Sequence, residues 1–407
     1  MSLPESYSDL THTQASLPPA EQAAPPLDPG LLRLREALHG ILTVEGEQHT
    51  QQRGVGRVYV FRGQLETPRD TAYQTLVERF KPLGYTPMLQ RENDEEVVIA
   101  VEGDLPQRRI RSPWWLHLGL LVATIITTTI MGAALTGLPA GRVYDAIRAG
   151  DWPLVWSALR DGLPFSLTLL AILGVHEMGH YVAARLHGVK VTLPYFIPLP
   201  LANSLGTMGA VIFIKSPLLN RRALFDVGIA GPLAGLVLAL PLYIIGLLQP
   251  QTVGLPTSWI QLGITRVANP PLLQFLSGVF TDITELDRVV LYGHPMALAA
   301  WFGVLLTALN LLPLGQFDGG HVAYALFGRR AWPIATVTFG TLILFGLFGG
   351  WIAWLVWAFM GLLTGLRHPP PHDDLKPLGR TRTVIGIATL ILFFLIITPS
   401  PFYRPTY

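Results

Sequence analysis

From Arg111 onward the chain is built of long apolar runs, and nothing else in it limits the fold as sharply. Seven stretches, near 114–137, 163–187, 223–247, 295–313, 331–348, 350–366 and 383–398, reach or approach the roughly 20 residues that cross a ~30 Å hydrocarbon layer. Backbone exposed to lipid must satisfy its own N–H and C=O groups, so these stretches read as helices. The charges divide in the same way. Residues 1–111 hold 28 Asp, Glu, Lys and Arg, and the remaining 296 residues hold the other 28. About a quarter of the first part is charged, as in a soluble domain, against under a tenth of the second. The fold class that follows is a polytopic α-helical membrane protein of about seven spans behind a small N-terminal α+β domain.

Charge and composition also exclude some functions. The first part carries a net −4 (12 minus 16) and the second +6 (17 minus 11), so the +2 balance gives no basis for a nucleic-acid partner. The chain has no Cys, which removes disulfides, thiolate nucleophiles and Cys-ligated metals. A metal here would need His and carboxylate ligands.

Residues 1–30 mix Pro, Ala, Ser and Glu without periodicity and read as a disordered tail. Residues 31–111 read as a soluble α+β domain. LLRLREALHGIL has helical spacing, GRVYVFRGQL is a strand, and a helix from Thr67-Pro68 sets Ala72, Leu76 and Phe80 on one face. TPMLQR and EEVVIAV form a hairpin around Glu92-Asn93-Asp94. The domain carries no phosphate-binding loop or metal cluster, so its expected role is to regulate or to recruit substrate. With this domain inside, fourteen Lys and Arg flank the inner ends of the spans. Six, Arg142, Arg148, Arg160, Arg266, Arg288 and Arg404, fall outside. The expected N-terminus is therefore cytoplasmic.

The second span ends LLAILGVHEMGHYVAARLHG. His176 and His180, at i and i+4, present two imidazoles from one helix face to a common point, and Glu177 can reach a water bound there. This HExxH spacing suits two zinc ligands and a general base. A charged Glu inside an apolar span costs at least ~2.5 kcal/mol unless something compensates it, and a cation does so where packing does not. Two His leave zinc one protein ligand short. Most acidic residues beyond Arg111 fall in loops, Asp373 and Asp374 in a polar inner one, while Asp226 has a helix N-terminus to explain it. Asp318, in LNLLPLGQFDGGHVAYAL, remains. Gly319 and Gly320 allow the tight backbone that turns it inward, and its alternative role is a helix N-cap. His321 has an ordinary solvated reading beside the reading as a further ligand.

Between these spans, Pro194, Pro198 and Pro200 rule out a continuous helix, and Ala210 to Lys215 read as a strand. The expected element is a re-entrant β-hairpin over the metal. A protease needs its substrate extended, and an exposed strand edge holds such a segment by β-augmentation. Gly209, Ala210, Val211, Ile212 and Phe213 are the candidate edge, against a purely structural loop as the alternative.

HEMGH on a membrane helix, followed by N-x-x-P at 310–313 and D-G-G at 318–320, resembles the site-2 protease family of intramembrane zinc metalloproteases (peptidase M50). PYFIP at 194–198, LGTMGAVIFIKSP at 205–217 and AGPLAG at 230–235 are similar to the plant and cyanobacterial EGY-like branch. The resemblance is strongest over about 160–325. It implies one Zn2+ held by His176, His180 and Asp318, with Glu177 as base and Asn310 in a position implicated in holding substrate. It further implies a single-span membrane protein as substrate, such as an anti-sigma factor or another tethered regulator, in a bacterial inner membrane or a thylakoid-type membrane. Gly315-Gln316-Phe317 stands where many members carry Pro-Pro-Leu. A catalytically silent scaffold and a metal transporter are the competing classes. The intact His, Glu and Asp set counts against the first, and the presence of a single visible ligand cluster against the second.

Overall fold

The computed structural model describes residues 28–52, 56–92, 95–103, 112–200, 205–249, 266–281, 294–349 and 351–403. Nearly all of the expected disordered tail lies outside the described residues.

The N-terminal domain opens with α1 (Pro29–Leu38), whose first turn is capped by the Asp28 carboxylate accepting from the Gly30 amide at 2.9 Å. Strands β1 (Leu42–Gln52) and β2 (Gly56–Leu65), helix α2 (Arg69–Phe80) and strands β3 (Tyr85–Glu92) and β4 (Glu95–Glu102) follow. The sheet is antiparallel in the order β1-β2-β4-β3. Leu34 and Leu38 from α1 and Ala72, Leu76 and Phe80 from α2 are buried on one of its faces, as the helical spacing predicts. Strand β1 is the element its residues do not announce: LTVEGEQHTQQ is polar and barely alternates. It forms because β2 offers it an edge, with Leu42 opposite Leu65 and a bulge between Val44 and Gly46. Gly63 is required opposite that bulge, because a Cβ there would strike the Thr43 carbonyl.

The remaining chain forms α3 (Trp114–Leu135), α4 (Ala140–Ala149), α5 (Trp152–Leu186), β5 (Tyr195–Pro198), β6 (Thr207–Val211) and α6 (Arg221–Leu247). It continues through β7 (Arg266–Val267), α7 (Pro271–Phe280), α8 (Pro295–Asn310), α9 (Asp318–Phe327), α10 (Ala331–Phe348), α11 (Ala353–Thr364), α12 (Arg380–Ile396) and β8 (Phe402–Tyr403). By length and composition, four helical stretches among the described residues could cross a membrane: α3, α5, α6, and α9 continued through α10. Helices α8 and α11 are apolar but shorter. The 12 residues of α11 rise only about 18 Å. Helix α8 stops at Asn310 rather than 313, because Pro313 and Gly315, at φ 51°, unwind the chain there.

Helix α8 is the hub. Ala297 to Val304 are all buried, with Trp301 and Phe302 at the centre of the largest apolar cluster. Helices α5 and α6 pack on it and on each other. Small residues set how close they come: a Cβ at Gly179 would press on the Ala230 carbonyl, and one at Gly246 would strike the Ala297 backbone.

Strands β5 and β6 pair antiparallel, with Tyr195 opposite Val211. The second strand begins at Thr207, earlier than the 210–215 expected from its apolar run. The Thr207 hydroxyl accepts from the Gly209 amide at 2.9 Å, closing a bulge. Beyond Val211 only single contacts continue the pairing, such as the Lys215 amide donating to the Lys190 carbonyl at 2.7 Å. Helix α3 anchors the hairpin: the Thr127 hydroxyl donates to the Gly206 carbonyl at 2.6 Å, and His117 Nδ1 donates to the Pro194 carbonyl at 2.9 Å.

Candidate active site

Helix α5 carries His176, Glu177 and His180, all buried, where it packs against α6 and α8. Its length lets the chemistry sit deep. The Asp151 side chain caps the start by accepting from the Leu154 amide at 3.3 Å, and His187 caps the end, 11 residues beyond His176. One helical turn separates the two imidazoles, and their Nε2 atoms lie 3.2 Å apart.

Asp318 comes to them from a separate helix, as the first residue of α9. The turn from Leu311 to Phe317 folds back on itself. A Cβ at Gly319 would strike the Leu311 carbonyl, and one at Gly320 the Gly315 carbonyl. Neither of these glycines has a positive φ, so the requirement here is for space. The result places Asp318 Oδ2 at 3.3 Å from His176 Nε2 and 3.2 Å from His180 Nε2.

These three donor atoms lie within 4.8 Å of one another. A tetrahedral ion with bonds of 2.0–2.1 Å sets its ligand atoms about 3.3 Å apart. The three closest separations, 3.2, 3.3 and 3.2 Å, match that triangle. Two neutral imidazoles and a carboxylate are also the donor set that a borderline divalent cation takes, so the residues fit zinc. The tautomer of one ligand is fixed as well. His180 Nδ1 donates to the Val227 carbonyl at 2.7 Å, which leaves the Nε2 lone pair facing the centre.

Helix α6 makes room for the rings. Gly231 lies against His180 and Gly235 against His176. The two glycines are spaced i, i+4, like the histidines they face. That match is a signal in AGPLAG that a sequence reading could have used and that goes unread without the packing.

Two further candidates border the same point. The Ile212 amide, just past β6, lies near the Glu177 carboxylate, which brings the hairpin to the motif. Asn310, the last residue of α8, has Nδ2 at 3.3 Å from His176 Nε2. Gly209 has a φ of 104° with open space beside it, and Met208 is exposed next to it. The hairpin edge is thus accessible at 208–209.

Other residues find different partners from those the sequence suggested. His321 lies outside the ligand cluster and is only partly exposed: its Nδ1 lies 2.6 Å from His368 Nε2. Asp226 does more than sit at a helix start. Arg382 of α12 grips its two oxygens at 2.8 Å each, and His187 Nε2 lies 2.8 Å from Oδ2. Asp373 and Asp374, expected in a polar loop, are buried. Burial pushes both carboxyls up to about 6, and it pushes the His372 imidazole down to about 4.

A histidine pair one turn apart with a following glutamate, closed by an aspartate from a distant helix within an apolar bundle, defines an HExxH-type metal centre. Residues 164–348 match Peptidase family M50, so the chain carries a domain of that family. It is homologous to the EGY proteins of plants. It is 28% identical over 357 residues to a rice (Oryza sativa subsp. indica) protein described as "Probable zinc metalloprotease EGY2, chloroplastic", covering 84% of this chain and 62% of that protein. It is 33% identical over 262 residues to the Arabidopsis thaliana protein described as "Probable zinc metalloprotease EGY1, chloroplastic", covering 63% of this chain and 46% of that one. The chain thus spans about half to three fifths of the length of these relatives. No solved structure matches it significantly.

Proposed function

We propose that the chain is an intramembrane zinc endopeptidase that hydrolyses a peptide bond in or near the transmembrane segment of a membrane-protein substrate. The observation that carries this reading is the triangle of His176, His180 and Asp318 with Glu177 beside it, buried among apolar helices. Bound zinc would acidify a water and polarise the scissile carbonyl. Glu177 takes the proton from the attacking water and gives it to the leaving amine. Asn310 donates its amide hydrogen to the substrate carbonyl. The hairpin, with Gly209, Ala210, Val211, Ile212 and Phe213, lies re-entrant at the depth of the metal and holds the unwound substrate as an added strand. Its Ile212 amide lies near the Glu177 carboxylate, which supports that placement.

The chain is organised as a cytoplasmic soluble domain over 31–111, regulatory or substrate-recruiting, and a membrane-embedded protease over 112–407. Helices α3, α5, α6, α8, α10, α11 and α12 are its seven spans. Three pairings support this alternation. Asp226 with Arg382 joins the N-terminal parts of α6 and α12, and β7 with β8 joins two segments assigned outside. The segment at 372–374 touches both the soluble domain and the approach to α6, on the inside. The setting is a bacterial inner membrane or a thylakoid-type membrane, and the substrate a single-span protein such as a tethered regulator.

The test uses the full chain in detergent, with elemental analysis and cleavage of a single-span substrate. Wild type should bind one zinc and cut. Glu177→Gln should keep the zinc and lose at least 100-fold in cleavage, as expected for removal of a general base. Zinc-free wild type, or undiminished cleavage by the variant, refutes the reading.

A further inference from the structure

The loop between α11 and α12 runs from Gly365 to Gly379 and forms a strap between the soluble domain and the metal centre. On one side it extends the soluble sheet. The Leu89 amide of β3 donates to the His372 carbonyl at 2.6 Å, and the Asp374 amide donates back to the Leu89 carbonyl at 2.9 Å. Leu375 is buried in the core of that domain. On the other side the Asp373 amide donates to the Leu219 carbonyl at 2.8 Å, just before α6.

The same strap grips α9, the helix that begins with the ligand Asp318. The Tyr324 hydroxyl donates to Asp374 Oδ2 at 3.1 Å, and His321 Nδ1 meets His368 Nε2 at 2.6 Å. The His368 ring also lies on Tyr324, with centroids 4.9 Å apart. From just beyond α9, Arg329 reaches Glu92 at 3.0 Å and Gln90 at 3.2 Å, both on β3.

Helix α9 packs on α6 through Val322, Ala323 and Tyr324, and these anchors add to that hold. It is 10 residues long, with Gly319-Gly320 at its start and Gly328, at φ 59°, at its end. An isolated helix of that length is marginal. The strap groups are also costly for a purely packing role. Asp374 Oδ1 and His368 Nδ1 are buried without hydrogen-bond partners, so each residue keeps a desolvated polar atom while its other atom is committed to α9.

We infer that Asp374 and His368, acting through Tyr324 and His321, are positioning residues for the metal ligand Asp318, and that through this strap the soluble domain fixes the geometry of the metal centre. The inference rests on the zinc reading above. Neither residue touches the reacting atoms. They hold α9 at the angle from which the Asp318 carboxylate meets His176 and His180.

The test measures the rate at which the full-length, zinc-loaded chain in detergent surrenders zinc to excess chelator, alongside the melting temperature of the stripped protein. Partners outside the ligand set typically change metal affinity 10–100-fold. Asp374→Ala and Tyr324→Phe should each release zinc about 10-fold faster, with the melting temperature of the stripped protein unchanged. Asp374→Asn keeps an acceptor for the Tyr324 hydroxyl and should restore the wild-type rate. Wild-type release rates in both disruptive variants overturn the inference. So does faster release that Asn fails to rescue, or that tracks a lowered melting temperature, since both are the signature of a structural defect. Wild type without zinc overturns the metal reading itself, and this inference with it.

Discussion

Gly231→Ala sets two effects of opposite sign against each other. Gly231 is inside α6, and replacing an interior helix glycine by Ala stabilises a helix by about 1 kcal/mol. Propensity alone therefore predicts a more stable protein with an intact site. The packing predicts otherwise. The new Cβ would land on His180 Nε2, the atom that faces the metal, well inside any contact that real side chains make. Relief needs α6 or the imidazole to move by about 1 Å, several times the ~0.2 Å within which metal–ligand distances are held. Overpacking of this kind costs roughly 1–3 kcal/mol, enough to cancel the helix gain. The expected result is a folded protein near wild-type melting temperature with its zinc and its cleavage reduced by 100-fold or more. One turn further on, Gly235→Ala brings a Cβ to 3.2 Å from His176 Nδ1, which a shift of a few tenths of an ångström relieves. It should keep part of its zinc. Gly340 on α10 faces open space, so Gly340→Ala serves as the control. Elemental analysis of the three purified variants decides the matter, and full zinc occupancy in Gly231→Ala would refute the reasoning.

Arg382→Ala removes two charge-assisted hydrogen bonds on a half-buried Asp226, whose partners Arg382 and His187 lie outside the ligand set, and should cost about 1–3 kcal/mol. Thermal unfolding should register that loss while zinc per chain stays at the wild-type level. The strap should show a compensated pH response. The Asp374 carboxyl, raised by burial to about 6, contributes stability that is full below the unfolded value near 4 and fades as pH rises through 6. His372, lowered to about 4, and His368, lowered further by burial and by His321, act oppositely: their contribution is full above about 6.5 and fades as pH falls. Asp374→Asn removes one of the two raised carboxyls on one side of this balance, leaving Asp373. Its melting temperature should fall more steeply than that of wild type between pH 6.5 and 4.5, and an equal or shallower slope in a pH series would contradict these assignments.

Much of the site was legible because its chemistry is local. The spacing of His176, Glu177 and His180 follows from 3.6 residues per turn, and a buried Glu in an apolar run has few explanations besides a cation. Asp318 could be reached because so few acidic residues remain once loops and helix ends are set aside. The helices of the N-terminal domain followed from apolar periodicity, whereas β1 did not, since an edge strand takes its conformation from the neighbour it pairs with. The start of β6 was misplaced for a similar reason: a bulge closed by the Thr207 hydroxyl leaves no apolar trace.

Sequence by itself determined the contrast between a charged N-terminal part and an apolar remainder, the two imidazoles on one helix face with Glu177 beside them, and the residue that could complete the metal set. These depend on charge density and helical period, which are properties of short stretches of chain. Only the tertiary structure decided that Gly231 and Gly235 seat the histidine rings, that Asp226 belongs to Arg382 and His187, and that Asp373 and Asp374 are buried. The grip of the strap at 365–379 on the ligand-bearing helix belongs with them. Each joins residues dozens to hundreds of positions apart, and the fit of one surface to another across such a distance is fixed by packing, for which no periodicity in the chain provides a sign.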